Sequence, residues 1–157
     1  MAITDYHDSI RDAIVTVFQA ALTAESFTAL VGKVVAVDTP DDMFNLEMPC
    51  VGAACVGPEQ DRPDWGTSNQ DGIGYPVAIA LLAGGTTRGE KTPGMPSATQ
   101  FRRLVRTTFH NKRLSGVAQV GYCEVSDSGE LWDPKNPKFQ KLETGMVITA
   151  VGRFPRS

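Results

Sequence analysis

The apolar run YPVAIALLA, from Tyr75 to Ala83, is bounded by Gly74 on one side and by Gly84-Gly85 on the other. The run has the length of a strand, and its lack of polar residues is typical of a strand buried on both faces. We therefore expect it to form the central strand of a sheet.

Two amphipathic helices are predicted, one near the N-terminus and one after this strand. Between Thr4 and Leu22, apolar residues recur at spacings of three and four, with Thr4 as the expected N-cap. The second helix is predicted to start at Pro96-Ser97, where Ser97 and Gln100 form an S-x-x-Q capping box, and to end near Asn111 to Gly116. Its predicted buried face consists of Phe101, Leu104, Val105 and Phe109, and its predicted outer face carries Arg102, Arg103 and Arg106.

Four further segments have the composition of strands. They are Val34–Val37, Met48–Gly57 (MPCVGAACVG), Val117–Val125 and Leu142–Phe154, and the last two should form a hairpin. The glycines and alanines of the second segment indicate close approach by something packed across it. The expected fold is therefore α+β, with a mixed or antiparallel sheet of about four to five strands packed by two helices and closed by a C-terminal β-hairpin.

Length and composition indicate one domain over residues 1–157, because 157 residues with 41% apolar content can build a single core. Long loops are expected at 58–74, 84–96 and 126–141, where glycine, proline and polar residues dominate. Apolar runs fall short of the roughly 20 residues that cross a membrane, and the N-terminus lacks the order of a signal peptide. We expect a soluble protein with no membrane partner.

Charge is distributed unevenly along the chain, although the formal net charge is only -3. Between Asp38 and Asp71 there are eight acids against one base, Arg62, whereas between Arg88 and Arg113 there are seven bases against Glu90. Such a division favours complementary surfaces, for example between copies of the chain. The predicted contact places Arg102, Arg103 and Arg106 opposite Asp61 and Asp64 of a neighbouring copy. Exposure of these bases to solvent and contact with phosphate are the alternatives.

Two tryptophans lie in the expected loops and are candidate interface residues. Trp65 is the large apolar residue of the 58–74 segment, and Trp132 belongs to the 126–141 segment. Tryptophan is enriched at interfaces, but a lone tryptophan in a loop more often pins the loop to its own domain. For Trp65, pinning the loop to its own domain is therefore the favoured role, and a contact with a neighbouring subunit is the alternative.

Catalytic, cofactor-binding and metal-binding patterns are not evident. The glycine clusters match neither a phosphate-binding loop nor a dinucleotide fingerprint, and His7 and His110 have no partner at metal-ligand spacing. The cysteines are Cys50, Cys55 and Cys123, all in apolar runs, and we expect reduced thiols. We therefore expect no enzyme, cofactor or metal. A small cytoplasmic thiol enzyme, with a Cys–His pair formed in space, remains an alternative.

The order of elements along the chain resembles that of the tail terminator (tail completion) proteins of long-tailed bacteriophages. The segments that carry the resemblance are the helix Thr4–Leu22, the strands MPCVGAACVG and YPVAIALLA, the helix FRRLVRTTF and the terminal strand MVITAVGRF. The resemblance implies a structural virion subunit that forms a homohexameric ring, ends the tail tube and joins the tail to the neck and head. It also implies a neck or connector protein on the head side, a tail tube protein on the tail side, and DNA passing through the lumen without sequence-specific binding. Assembly would occur in the cytoplasm of the bacterial host.

Other interpretations remain open at this stage. A neighbouring neck ring (a head-completion or stopper protein) or a tail tube subunit of the same virion would have similar features. A monomeric binding module is a further class, and it would fail to oligomerise at any concentration.

Overall fold

A computed structural model of the chain describes residues 5–83, 93–128, 131–132, 139 and 141–156. This part of the chain contains two α-helices, six strands and three short 3₁₀ turns, which confirms the α+β class. In chain order the helices and strands are α1 (Tyr6–Ala24), β1 (Val34–Val37), β2 (Cys50–Cys55), β3 (Gln60–Asp61), β4 (Gln70–Leu82), α2 (Ala98–Phe109), β5 (Val120–Asp127) and β6 (Leu142–Pro155). The 3₁₀ turns are Thr28–Leu30, Pro40–Asn45 and Pro63–Trp65.

The strands form one open sheet in the order β1-β2-β4-β6-β5, with the short β3 beside β4. Strands β1 and β2 run parallel, and all other neighbours are antiparallel. Strand β4, which contains the apolar run, lies in the middle and pairs with both β2 and β6. Its predicted central position and the predicted C-terminal hairpin of β5 and β6 are thereby confirmed.

Both helices pack on one face of the sheet and enclose the main core. Val77, Ile79 and Leu81 of β4 are buried there beneath the helices. The ring of Phe18 in α1 lies 5.4 Å from that of Phe101 and 6.1 Å from that of Phe109, both in α2. Val105 is also buried in this core and Leu104 is partly buried, so the predicted inner face of α2 is confirmed.

A second, smaller core covers the other face of β4. It buries Ala78, Ala80 and Leu82 of β4, together with Met43, Phe44 and Trp132. A Cβ atom built at Gly52 of β2 would come within 2.7 Å of the Met43 side chain. The predicted close approach across β2 is therefore confirmed at Gly52, and the segment that packs there is the Pro40–Asn45 turn.

The helix ends differ slightly from those predicted. Helix α1 begins at Tyr6, and its N-cap is Asp5 rather than Thr4, because the Asp5 carboxylate accepts a hydrogen bond from the Asp8 N–H (3.1 Å). Helix α2 has Ser97 as its N-cap and the capping box with Gln100 is present, as predicted, but the helix ends at Phe109, before the predicted Asn111 to Gly116, because Asn111 has a left-handed backbone (φ 59°). Neither helix of the described ranges is long and apolar enough to cross a membrane.

The prediction of a long loop at 58–74 is wrong for most of these residues. Strand β3, the Pro63–Trp65 turn and the first residues of β4 all fall within it. The Arg62 N–H donates to the carbonyl of Gly72 (2.8 Å), and a side chain at Gly72 would collide with the Arg62 carbonyl. Glycine at this position therefore allows a tight hairpin where turn-rich composition had predicted irregular backbone.

Strand β5 begins at Val120, later than the predicted Val117, and a bulge at Gly121 interrupts its alternation. Val120 and Tyr122 pair with the consecutive residues Gly152 and Val151 of β6. The bulge places Val120 on the same face as Cys123, in the main core, whereas strict alternation had predicted opposite faces.

The other two predicted loops lie mostly outside the described residues, at 84–92, 129–130, 133–138 and 140. Residues 93–96, the described end of the loop predicted at 84–96, pack onto their own domain. Met95 contacts the main core, and the Ala29 N–H donates to the carbonyl of Gly94 (3.2 Å).

Candidate functional site

Arg103 and Arg106 form an exposed basic surface on α2, which we call the α2 basic surface. With Thr99, Arg102 and Thr107 they line a shallow groove of about 250 Å³. Neither guanidinium has a hydrogen-bond or ion-pair partner among the described residues. Two charged donor groups are thus available to another molecule.

Arg102 behaves differently from its two neighbours, although the sequence placed all three on one outer face. Its guanidinium forms an ion pair with Asp127 at the end of β5. It also donates to the Thr144 hydroxyl (3.1 Å) and to the carbonyl of Gly145 (3.4 Å) in β6. Arg102 therefore fastens α2 to its own sheet, and we exclude it from the α2 basic surface.

Asp61 and Asp64 are both exposed, and with Glu59 they define what we call the β3 acidic surface. Arg62 lies between the two aspartates but is bound to Glu124 of β5, with N–O distances of 2.9 and 3.1 Å. The Arg62 hydrogen bonds and charge hold the pKa of Glu124 below its ordinary value. The acids of the β3 acidic surface remain without an ion-pair partner within 4.0 Å in the described part of the chain.

Two further acids of the 38–71 segment form ion pairs with arginines that are distant in sequence. Arg11 of α1 lies 3.8 Å from Asp38, and Arg156 lies 2.7 Å from Asp71. Neither pairing has a sequence signal, because each depends on the fold. Asp38 and Asp71 are therefore less available to a neighbouring molecule than Glu59, Asp61 and Asp64.

The two charged surfaces do not meet within one subunit. Asp61 pairs with Ile73 of β4, whereas the Arg102 end of α2 is anchored at Gly145, which pairs with Ala80, about 23 Å away along β4 at the usual rise of a strand. Among the described residues, neither Arg103 nor Arg106 forms an ion pair with Asp61 or Asp64. These acids and bases are thus available to contact another copy.

Trp65 packs against its own domain. Its ring centroid lies 5.1 Å from that of Tyr122, and the Arg153 guanidinium lies over the same ring at 5.5 Å. The side chain is half-buried. This placement fits the more frequent role of a lone loop tryptophan, which is to pin its segment to the domain.

Trp132 lies in the second core and is only 4% exposed. Its ring packs on Phe44 (6.2 Å between centroids) and against Gly145, where a Cβ atom would collide with it. Its indole N–H is buried without a hydrogen-bond partner among the described residues. Within the subunit Trp132 is a core residue, with little surface to offer a neighbour.

The thiols and imidazoles have structural contacts. Burial raises the pKa of Cys50 to about 11 and the pKa values of Cys55 and Cys123 to about 12. His7 donates through Nε2 to the carbonyl of Pro76 (2.6 Å), and Nδ1 of His110 accepts from the Val125 N–H (3.1 Å). Neither imidazole is hydrogen-bonded to a thiol in the described ranges, which hold no group of three metal-ligating side chains.

A groove that the sequence did not predict opens beside Trp65, lined on its basic side by Arg113 and Arg153. These residues come from segments far apart in the chain, so spacing carried no signal for the site.

Comparison with known protein families gives no match for the chain, and comparison with curated proteins gives none either.

Proposed function

We propose that the chain is a structural subunit of a tailed-bacteriophage virion that assembles head-to-tail into a ring, as a tail terminator does. The observation that carries this proposal is the separation of the α2 basic surface from the β3 acidic surface. Each is exposed and has no ion-pair partner within 4.0 Å in the part of the chain that the structure describes, so each surface is available to the other on the next subunit. A contact between two different surfaces of identical subunits is heterologous and closes into a ring when the rotation between them permits.

In the virion, the ring would contain six copies, end the tail tube and join it to the neck. A neck or connector protein would bind on the head side and the tail tube protein on the tail side, with DNA passing through the lumen. The resemblance of the sequence to tail terminator proteins supports this position. Assembly would take place in the host cytoplasm before the ring joins the virion.

The state of the thiols supports a structural role over that of a thiol enzyme. A nucleophilic cysteine needs a depressed pKa and an electropositive, partly exposed setting. The pKa of every thiol here is instead raised by burial. Cys55, which is partly exposed, donates to the Asp8 carboxylate (3.6 Å), a contact that opposes formation of the thiolate.

The mass and shape of the purified chain test the proposal. Light scattering coupled to size exclusion should give a mass near six times the 16.9 kDa of one chain, and negative-stain images should show rings. Open tubes that lengthen with concentration would favour the tail tube subunit instead. A monomer at every concentration up to the millimolar range would contradict the proposal and favour a monomeric binding module.

A further inference from the structure

The groove beside Trp65 brings together residues from four parts of the fold. Trp65 comes from the Pro63–Trp65 turn, Gln70 from the start of β4, Arg113 and Gln119 from the segment between α2 and β5, and Arg153 from β6. The groove measures about 340 Å³, which is enough for a small polar ligand. It shares no lining residue with the groove of the α2 basic surface.

Arg153 is held in one orientation at this groove. Its Nε donates to the carbonyl of Trp65 (3.0 Å), and its guanidinium lies over the indole ring at 5.5 Å. Its backbone N–H donates to the carbonyl of Gln119 (3.1 Å). Because Nε and one face of the guanidinium are occupied, the two Nη groups remain for a ligand. An arginine fixed in this way loses little side-chain entropy when it binds.

The position of the Trp65 side chain depends on the bulge in β5. A Cβ atom at Gly121 would collide with the six-membered part of the indole ring. The Tyr122 ring supports the indole at 5.1 Å between centroids. Glycine at the bulge thus allows Trp65 to lie where it orients Arg153.

The charge of the groove is not compensated. Arg62 and Arg156 nearby are paired with Glu124 and Asp71, respectively. Arg113 and Arg153, in contrast, have no carboxylate within ion-pair distance among the described residues. Two guanidiniums that line one groove, with no carboxylate in ion-pair range within the described part of the chain, favour a ligand of double negative charge with several acceptor oxygens.

We propose that this groove binds a phosphate group, either as inorganic phosphate or as the phosphate of a monoester. The Nη groups of Arg153 would bind two phosphate oxygens side by side, and Arg113 would bind a third. The side-chain amides of Gln70 and Gln119 can donate to the remaining oxygen. The residues that would hold the phosphate belong to neither charged surface of the ring contact, although Trp65 directly follows Asp64 in the Pro63–Trp65 turn.

Calorimetric titration of the full chain with inorganic phosphate, and separately with adenosine monophosphate, tests the site. Sodium chloride keeps the ionic strength constant. We expect saturable binding of at least one probe, together with a change in tryptophan fluorescence that Trp65→Phe abolishes. Tighter binding of inorganic phosphate would identify the free ion as the ligand, and tighter binding of the nucleotide a monoester. Each charge-assisted contact removed should weaken binding about tenfold.

The variants Arg153→Gln and Arg113→Gln should each show this loss. If Arg153→Gln displaces Trp65, Arg113→Gln still tests the site. The Arg113 side chain makes no hydrogen bond or ion pair within the described ranges, so its replacement should leave the fold unchanged. Arg106→Gln is the matched control and should bind as the wild type does. Equal losses in Arg106→Gln and Arg113→Gln would reduce the effect to general electrostatics and overturn the proposal, as would absence of saturation with both probes. Ring formation is measured separately, so failure here leaves the proposed function untouched.

Discussion

Arg102 of α2 and Asp127 of β5 form an ion pair within one subunit, and the same guanidinium donates to Thr144 and Gly145 of β6. Helix α2 is thus tied to the C-terminal hairpin by polar contacts as well as by the main core. Reversing the charge of Arg102 would leave Asp127 facing a like charge and would disturb the fold. A test of subunit contacts must therefore spare Arg102 and use Arg103 and Arg106, which have no ion-pair partner among the residues that the structure describes.

The double variant Arg103→Glu/Arg106→Glu should remain folded but fail to form rings. Like charges facing each other across an interface cost several kcal/mol, so reversal should block a contact with Asp61 and Asp64. Light scattering measures assembly, and circular dichroism verifies the fold.

Two further variants make this test specific. Adding Asp61→Lys and Asp64→Lys to the double variant should restore part of the assembly, because opposite charges face each other again. The control Lys33→Glu/Arg113→Glu changes the net charge equally but lies outside the α2 basic surface, and it should still assemble. Normal rings from Arg103→Glu/Arg106→Glu would refute the proposed contact.

Local signals accounted for the elements that the sequence predicted well. The apolar run of β4, the small residues of β2 and the Ser97–Gln100 capping box each act over a few residues, so their effects could be predicted from spacing alone. The bulge at Gly121 and the pairing of Arg102 with Asp127 depend on strands that meet only in the folded chain. Local patterns therefore predicted the sheet and the helices. They also predicted one exposed face for Arg102, Arg103 and Arg106, whereas in the fold Arg102 is bound to its own sheet.

Phe109→Ala should lower the free energy of unfolding by about 3–5 kcal/mol, the range for removal of a buried phenylalanine. Phe109 is 2% exposed and packs against Phe18 of α1, so the variant leaves a cavity between the two helices. Urea unfolding followed by circular dichroism measures the change. Thr107→Ala, at an exposed position of the same helix, should change stability by no more than about 0.5 kcal/mol. A loss under about 1 kcal/mol for Phe109→Ala would place this ring outside the core.

The ion pair of Arg62 and Glu124 should make stability depend on pH in the acidic range. Arg62 lowers the pKa of Glu124 in the folded state below 4.5, its ordinary value. A lowered pKa stabilises the fold above the pKa of the unfolded chain, and this contribution is lost as pH falls through the folded pKa. Because the Glu124 side chain is 40% exposed, we expect no more than about 1 kcal/mol.

Urea unfolding of the wild type and of Glu124→Gln, measured from pH 7 to pH 3, reveals this contribution. The wild type should be the more stable protein at neutral pH, and the difference should shrink below about pH 4.5 as the carboxylate is protonated. Asp64→Asn, an exposed neighbour that makes no ion pair within 4.0 Å in the described ranges, is the control. A difference for Glu124→Gln that stays constant over the whole range would contradict an ionic origin.

The three thiols should resist alkylation in the folded protein. At pH 8, pKa values of about 11 to 12 leave a very small thiolate fraction for Cys50, Cys55 and Cys123. In the unfolded chain, with a thiol pKa near 8.5, labelling by iodoacetamide should be more than about a hundredfold faster.

Cys55 gives the most sensitive test, because it is the one partly exposed thiol of the described residues. Burial is the main cause of its raised pKa, and Asp8 raises the pKa further while Arg11 lowers it. Asp8→Asn should therefore speed the labelling of Cys55, and Arg11→Gln should slow it. Mass spectrometry of the labelled peptide separates Cys55 from the other two cysteines. Rapid labelling of native Cys55 at pH 7 would contradict the inert thiol and favour the thiol enzyme over the structural subunit.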